Sequence, residues 1–336
     1  MVNFAVVGYG MMGATHLSIL KKNPRAHVAA LVENDPTKLK SVTQGNIGEK
    51  PEEDLLKGVP TFTTIEEMLA ATEVDCISIC LPTHLHRRFV TQALEAGKHV
   101  ICEKPMALSL EDCDAMIEAA ERNQRQLFIA QCIRFWPEYN ILKQYKDSGE
   151  LGKLVSVIFR RVSASPFWAG PKSWFADPTK SGGCIFDLHV HDLDFINYLF
   201  GRPVSVFSQG YSGPSGGNEA VTTQYNFPDG PMCFAEGNWA YPSGFKMAFT
   251  AVFEKGKLEY DSSASPTLTL TRQGVEKPEA VTVPKGDGYM HEYEYFIDCL
   301  ETGKHPEKMT AESARQSIEI ANAEVQSIKE GKAVFL

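Results

Sequence analysis

The chain opens on Val2-Asn3-Phe4-Ala5-Val6-Val7, a short, mostly apolar run of the kind that forms a strand buried on both faces. Ala14, Leu17 and Leu20 then recur at helical spacing. His27–Val32 predicts a second strand, 36–44 a helix, 45–61 a loop, and 64–71 a short amphipathic helix. Cys76–Leu81 predicts a buried strand broken by Pro82, after which Thr83 can cap a helix to Ala96 that Gly97 ends. His99–Glu103 is the next strand. Ser109, with Asp112 at the capping-box position, starts a helix ending near Arg122, and Leu127–Cys132 is a sixth strand. Strands alternating with helices predict a parallel sheet with right-handed crossovers.

Beyond about residue 150 the pattern changes. A longer strand over 154–163 leads into an aromatic-rich loop with Phe167, Trp168, Trp174 and Phe175, and a helix over 183–199 stops at Gly201. Strands are predicted at 204–211, 221–227, 232–240, 246–254, 256–261, 267–272 and 279–283, with the run 210–218 joining two of them. Their polar–apolar alternation suits an antiparallel sheet with one covered face. Helices over 289–302 and 310–330 close the chain. The expected architecture is an α/β Rossmann domain over 1–124, with a mostly parallel, doubly wound sheet, followed by an α+β domain over 125–336. That second domain carries a large open antiparallel sheet, which predicts a homo-dimer or homo-tetramer formed by covering the sheet with another copy.

Composition narrows the classes. The 336 residues are 43% hydrophobic, enough for a substantial core, and the net charge of −9 does not suggest a nucleic-acid partner. No stretch approaches the ~18 consecutive apolar residues of a membrane span. The start lacks the basic region and cleavage site of a leader, so the expected location is cytoplasmic, with no membrane partner. Among eight cysteines, Cys76, Cys80, Cys102 and Cys132 fall in predicted strands as reduced, small hydrophobes, and no CxxC pair is present.

Candidate chemistry starts at Gly8-Tyr9-Gly10-Met11-Met12-Gly13, between the first strand and its helix. Gly8 makes the tight turn, Gly10 admits a pyrophosphate close to backbone, and Gly13 lets helix and strand pack closely. The helix start, through Met11, Met12 and Gly13, offers unpaired N–H groups to phosphate. Glu33 ends the second strand twenty residues after Gly13, where a carboxylate accepts from ribose hydroxyls. It would repel a 2′-phosphate, so NAD is expected over NADP. Alternatively, Glu33 and Asp35 only punctuate a strand end. Lys104 lies past the carboxyl end of a parallel strand, where open α/β sheets bind ligands, and a solvated surface charge is the competing reading. Beside a nicotinamide its ammonium can stabilise a developing alkoxide. Asp187 and His191, four apart, share a helix face as a structural ion pair or as a proton carrier with its tuning carboxylate. His189 should point elsewhere, and the spacing of Asp187, His189, His191 and Asp192 does not converge on one metal.

Three segments carry a resemblance: the N-terminal fingerprint, GKHVICEKP at 97–105, and GGCIFDLHVHD at 182–192. With Arg134-Phe135, HEYEYFIDCLETGK and the final GKAVFL, they resemble the glucose–fructose oxidoreductase/inositol dehydrogenase (Gfo/Idh/MocA) family over nearly the whole chain. The resemblance implies NAD(P)-dependent oxidation of a sugar or cyclitol hydroxyl, or reduction of the matching ketone. It puts Lys104, Asp187 and His191 at catalytic and substrate-binding positions and Gly183 in a paired-glycine approach. Pro82, Thr83, His86, Glu103 and Lys104 fall beside the cofactor, and Arg134 and Trp174 are candidates to line the substrate pocket, with hydrophobic packing or a subunit contact as the equal reading for the aromatics at 167–175. Cys184 departs from the third glycine often found there. The reading is an NAD-dependent sugar or cyclitol dehydrogenase. Its rivals are a reductase of a keto-sugar or nucleotide-linked sugar, and a non-catalytic dinucleotide-binding sensor, against which retention of Lys104, Asp187 and His191 argues.

Overall fold

The computed structural model describes residues 1–40, 54–166, 170 and 173–336; Phe167, Trp168, the end of the helix predicted over 36–44 and most of the following loop lie outside them. Two units result, one of residues 1–131 with 289–315, the other of 132–288 with 316–336. The first boundary falls later than residue 124 because the strand after it belongs to the first sheet.

In the first unit, β1 (Val2–Val7), α1 (Met11–Lys22), β2 (Ala26–Val32), β3 (Thr61–Phe62), α2 (Ile65–Ala71), β4 (Cys76–Ile79), α3 (His86–Glu95), β5 (His99–Glu103), α4 (Leu110–Arg122) and β6 (Leu127–Ala130) alternate as expected. Among the described residues six strands form one parallel sheet ordered β3-β2-β1-β4-β5-β6. This order reverses between β1 and β4, the crevice where doubly wound sheets bind ligands. Phe4, Ala5, Val6, Ile77, Val100 and Ile101 are fully buried, which accounts for their near-continuous apolar pattern. The Thr64 and Ser109 side chains cap α2 and α4, Ser109 accepting from the Asp112 N–H at 3.1 Å.

Three local expectations change. Lys38–Lys40 forms a single 3₁₀ turn after Asp35 instead of a helix. Thr83–Leu85 makes a 3₁₀ turn before α3, and the buried Thr83 does not cap it. β6 stops at Ala130, leaving Cys132 in a 3₁₀ turn with Phe135. A late segment also completes this core: Tyr293 and Phe296 of α8 (Gly288–Thr302) pack on Phe4 and Phe128.

The second unit comprises α5 (Pro137–Ser148), β7 (Leu154–Ala164), α6 (Pro178–Ser181), a π-helical turn at Ile185–His189, α7 (Val190–Phe200), β8 (Ser205–Ser212), β9 (Asn218–Asn226), β10 (Met232–Tyr241), β11 (Phe245–Phe253), β12 (Gly256–Asp261), β13 (Leu268–Arg272) and β14 (Glu279–Ala280). The division of the chain falls within α9 (Ala311–Glu330), and β15 (Val334–Phe335) ends it. Among the described residues nine strands pair in the order β14-β13-β12-β11-β7-β10-β9-β8-β15. The sheet is mixed, not wholly antiparallel. β7 lies between the consecutive strands β10 and β11, which run oppositely, so it is parallel to β10 and antiparallel to β11.

One face of this sheet is covered. Tyr139 of α5 stacks on Phe159 and meets Phe195, Phe249 and Tyr260 edge-on. The other face mixes exposed Ile158 and Met232 with Thr222, Gln224 and the Arg160–Glu236 ion pair at 2.7 Å. No helix among the described residues is long and apolar enough to cross a membrane.

Two buried charge pairs fasten α7. Arg134 donates through Nε and Nη2 to the two Asp194 oxygens at 2.7 Å each, and Ser317 Oγ donates to Asp194 at 2.8 Å. Arg161 on β7 holds Asp192 at 2.9 and 3.0 Å, and Tyr139 donates to the same carboxylate at 3.0 Å. Removing one partner of such a pair leaves an uncompensated buried charge. Arg134→Met should therefore lower unfolding free energy by about 3–5 kcal/mol, whereas Arg160→Met on the exposed face should cost less than about 1 kcal/mol. Urea denaturation of both variants checks this; equal losses would refute the distinction.

Candidate functional site

At the switch point the chain leaves β1 through Gly8 and β4 through Cys80. Gly8 has φ +95°, and a Cβ there would run into the Cys80 carbonyl; one at Gly13 would overlap the Gly8 carbonyl oxygen. These two glycines are dictated by the fold itself. Gly10 is different: its φ is −85°, and an added Cβ would meet nothing within 4 Å. Its small size is needed only by something approaching from outside. As N-cap of α1 it makes no side-chain cap bond, and the helix's first turn contains no acidic residue. The N–H groups around Met11, Met12 and Gly13 therefore form an electropositive cradle suited to phosphate.

Glu33 borders this loop and is buried. One carboxylate oxygen accepts from the Tyr9 N–H at 2.8 Å, the other from the Asp35 N–H at 2.9 Å, and Lys38 Nζ lies 3.6 Å away. It clamps the glycine loop. A carboxylate has about four acceptor positions, so ribose hydroxyls can still be accommodated.

Pro82 and Thr83 follow β4 at the same end of the sheet. His86, expected beside the cofactor, is a buried strut. Its Nδ1 lies 2.9 Å from the Pro105 carbonyl and its Nε2 2.8 Å from the Leu81 carbonyl, fastening the 81–83 turn to the segment after Lys104. Burial holds its pKa below the ordinary value, against the pull of the carbonyls. Glu103 also faces inward: one oxygen lies 2.9 Å from His16 Nε2, and the other accepts from the Lys104 N–H at 3.0 Å. Lys104, half-buried, stands just past β5.

His16 was not singled out in the sequence, although it shares the inward stripe of Gly13, Leu17 and Leu20 on α1. It is fully buried, with Nδ1 within 2.9 Å of Ser78 Oγ, 2.8 Å of the Tyr293 hydroxyl and 3.1 Å of Cys80 Sγ. Burial pulls its pKa down, but Cys80 and Glu103 more than offset this and raise it well above 6.5. Burial pushes Glu103 up, and the hydrogen bond and charge of His16 bring it below its ordinary value.

In the second unit, Gly182 and Gly183 take φ of +75° and +69°, and Gly183 packs against the Asn218 carbonyl. Asp187 sits in the π-helical turn and His191 in the first turn of α7, both half-buried. A wider turn keeps positions four apart aligned. His189 points the other way, into the core. Its Nε2 lies 3.0 Å from the Tyr225 hydroxyl and 3.4 Å from Glu324, and a Cβ at Gly237 would press on its side chain. Cys184 is likewise internal, packed with Leu188 and Trp239. Arg134, expected in the substrate pocket, is 2% exposed and grips Asp194. Trp174 is half-buried and stacks on Phe175 with ring centroids 3.9 Å apart.

A family model for oxidoreductases with an NAD-binding Rossmann fold matches residues 2–131, and the Gfo/Idh/MocA C-terminal domain model matches 139–259. An inositol 2-dehydrogenase of Corynebacterium glutamicum is 30% identical over 258 residues, covering 75% of this chain and 71% of the relative. The chain belongs to the Gfo/Idh/MocA oxidoreductase family. A myo-inositol 2-dehydrogenase of Thermotoga maritima is 25% identical over 346 aligned positions, spanning 100% of this chain and 98% of its own. The fold matches that of an aldose-aldose oxidoreductase from Caulobacter crescentus complexed with glycerol, with a TM-score of 0.85 at 23% identity over 100% of this chain and 99% of that one.

The first unit fits the dinucleotide of this NAD-binding family. Gly10→Ala should change stability by less than about 1 kcal/mol yet weaken NAD binding roughly tenfold or more, equivalent to about 1.4 kcal/mol. Gly13→Ala, which forces overlap, should cost about 1–3 kcal/mol of stability. Calorimetric NAD titration with thermal unfolding separates the two, and undiminished binding by Gly10→Ala would overturn the assignment of the cradle.

Proposed function

We propose that this Gfo/Idh/MocA member is an NAD-dependent dehydrogenase of a cyclitol or closely related sugar hydroxyl. The observation that carries the reading is end-to-end similarity to a myo-inositol 2-dehydrogenase in a chain that keeps Lys104, Asp187 and His191. When bound, the nicotinamide supplies the acceptor for the hydride that leaves the carbinol carbon. His191 takes the hydroxyl proton, since imidazole exchanges protons near neutral pH. Lys104 stabilises negative charge as it develops on the oxygen. Asp187, four residues before His191, orients the imidazole. A screen of polyols beginning with myo-inositol, followed by absorbance of reduced cofactor, tests the activity; no turnover of any cyclitol or sugar with either dinucleotide would refute it.

Cofactor preference follows from Glu33. Its charge stands where the 2′-phosphate of NADP would approach, so NAD should bind more tightly. Glu33→Gln removes the charge while keeping an acceptor for one of the two N–H groups that Glu33 holds, and should narrow the preference in calorimetric titrations of both dinucleotides. Equal affinities in the unaltered protein would end this assignment.

The roles of Lys104 and His191 separate by pH. Loss of a positioned acid–base group costs about 10²–10⁴-fold in rate, and loss of an electrostatic stabiliser about 10²–10³-fold, so magnitude alone does not assign them. The acidic limb of the kcat/KM profile should flatten in His191→Asn and survive, at reduced height, in Lys104→Met. NAD binding should remain nearly unchanged in both. A limb that persists without His191 and disappears without Lys104 would reverse the roles.

A further inference from the structure

The proposed chemistry does not use the buried imidazole of His16, yet several elements of the first unit converge on it. Glu103 comes from the end of β5, Ser78 from β4, Cys80 from just beyond β4, and Tyr293 from α8. Ser78 Oγ and the Tyr293 hydroxyl are also 2.8 Å from one another. This density of polar contacts around a fully buried side chain is more than packing requires, because burying polar groups is costly and an apolar side chain would avoid the cost.

The contacts have a direction. His16 lies in the helix whose N-terminus forms the phosphate cradle. Its Nε2 lies 2.9 Å from one Glu103 oxygen in a buried ion pair, and the other Glu103 oxygen accepts from the backbone N–H of Lys104. One carboxylate therefore joins the cradle helix to the residue proposed to stabilise the reacting oxygen. Without the imidazole of His16 beside it, Glu103 would be an unpaired buried carboxylate free to turn away from Lys104.

We propose that His16 is a positioning residue: through Glu103 it fixes the backbone of Lys104 relative to the dinucleotide cradle. The inference rests on the reading of Lys104 as a catalytic residue. Its effect is on placement, and misplacing a reacting group by about 1 Å can lower the rate about 10²-fold. His16→Leu, which removes the donor, should lower kcat about 10²-fold, while NAD affinity stays within about threefold, because the N–H groups of the cradle are untouched. His16→Gln supplies a neutral donor near the Nε2 position and should recover most of the lost kcat. Glu103→Gln combined with His16→Leu should lose little more than either change alone, since both break the same link.

Stability adds a readout independent of substrate. The groups facing His16 are Glu103, Cys80, Ser78 and Tyr293, with the Lys104 charge close to Glu103. A raised His16 pKa contributes stability in full below its unfolded value near 6.5, and this is lost as pH rises through the folded value. A lowered Glu103 pKa contributes in full above about 4.5 and is lost as pH falls through the folded value. The stability gap between the unaltered protein and His16→Leu should thus be widest between about pH 4.5 and 6.5 and narrow at alkaline pH.

The decisive experiment measures kcat, NAD affinity by calorimetry and thermal unfolding against pH for His16→Leu, His16→Gln and Lys104→Met, using the polyol from the screen. Lost turnover with retained NAD affinity, recovered by His16→Gln, supports the proposal. If Lys104→Met is inactive while His16→Leu turns over normally, the positioning role is wrong and the functional reading stands. If Lys104→Met turns over normally, the functional reading itself fails. Equal losses of kcat and NAD affinity in His16→Leu, or a stability gap independent of pH, would make His16 a packing residue and overturn the inference.

Discussion

Charge removed from water must be paired, and in this protein the buried pairs sit next to the residues proposed to do chemistry. Glu103, joined to His16, immediately precedes Lys104. Asp192, held by Arg161, immediately follows His191, and Asp194, held by Arg134, is three residues beyond it. Apolar residues of similar volume would often stabilise a core as well as such pairs do. Ion pairs add direction: a carboxylate gripped through both oxygens fixes the backbone carrying it, and so the reach of the neighbouring side chain. Each candidate reacting group here is half-buried and is carried on backbone anchored by fully enclosed charge.

The cofactor cradle uses the same economy in reverse. Gly8 and Gly13 are required internally, by a positive φ and by the closeness of helix to strand, whereas Gly10 leaves open space. Glu33 is a structural clamp, holding the Tyr9 and Asp35 N–H groups, and is also the negative charge proposed to set cofactor choice. The two readings of Glu33 left open by its position at a strand end are therefore compatible. A rigid carboxylate repels an incoming phosphate more effectively than a mobile one, because it cannot swing away.

Much of the fold is legible in the sequence because the first sheet is buried on both faces and its strands read as apolar runs ending at Gly, Pro or a charge. The second sheet's strands emerge from alternation, with bounds within a few residues. Alternation cannot give pairing, however, and the parallel contact of β7 with β10 arises only from β7 lying between two consecutive strands. Nor does position at a strand end say which way a side chain points. His86, Glu103 and Arg134 all fall where the sequence places site residues, yet all three turn inward to partners distant in sequence. His16 escaped notice for the same reason: its partners Ser78, Glu103 and Tyr293 come from three other parts of the chain. Its place among Gly13, Leu17 and Leu20 puts it on the inward stripe of α1, but nothing local in the sequence pairs it with a carboxylate.

The segment from 185 to 200 shows how a local irregularity serves the site. A regular helix over this span would also set Asp187 and His191 on one side, but the π-helical turn lets four residues come closer to one full revolution. His189 meanwhile enters the core against Tyr225 and Glu324. In α7 itself, Val190 and every residue from Asp192 to Asn197 are buried. His191 is thus the half-open side chain in the opening turns of an otherwise enclosed helix. Enclosure excludes water from around the helix and fixes its rotation about its own axis. His191 then has a defined direction, which its proposed role as proton acceptor requires and a surface histidine lacks.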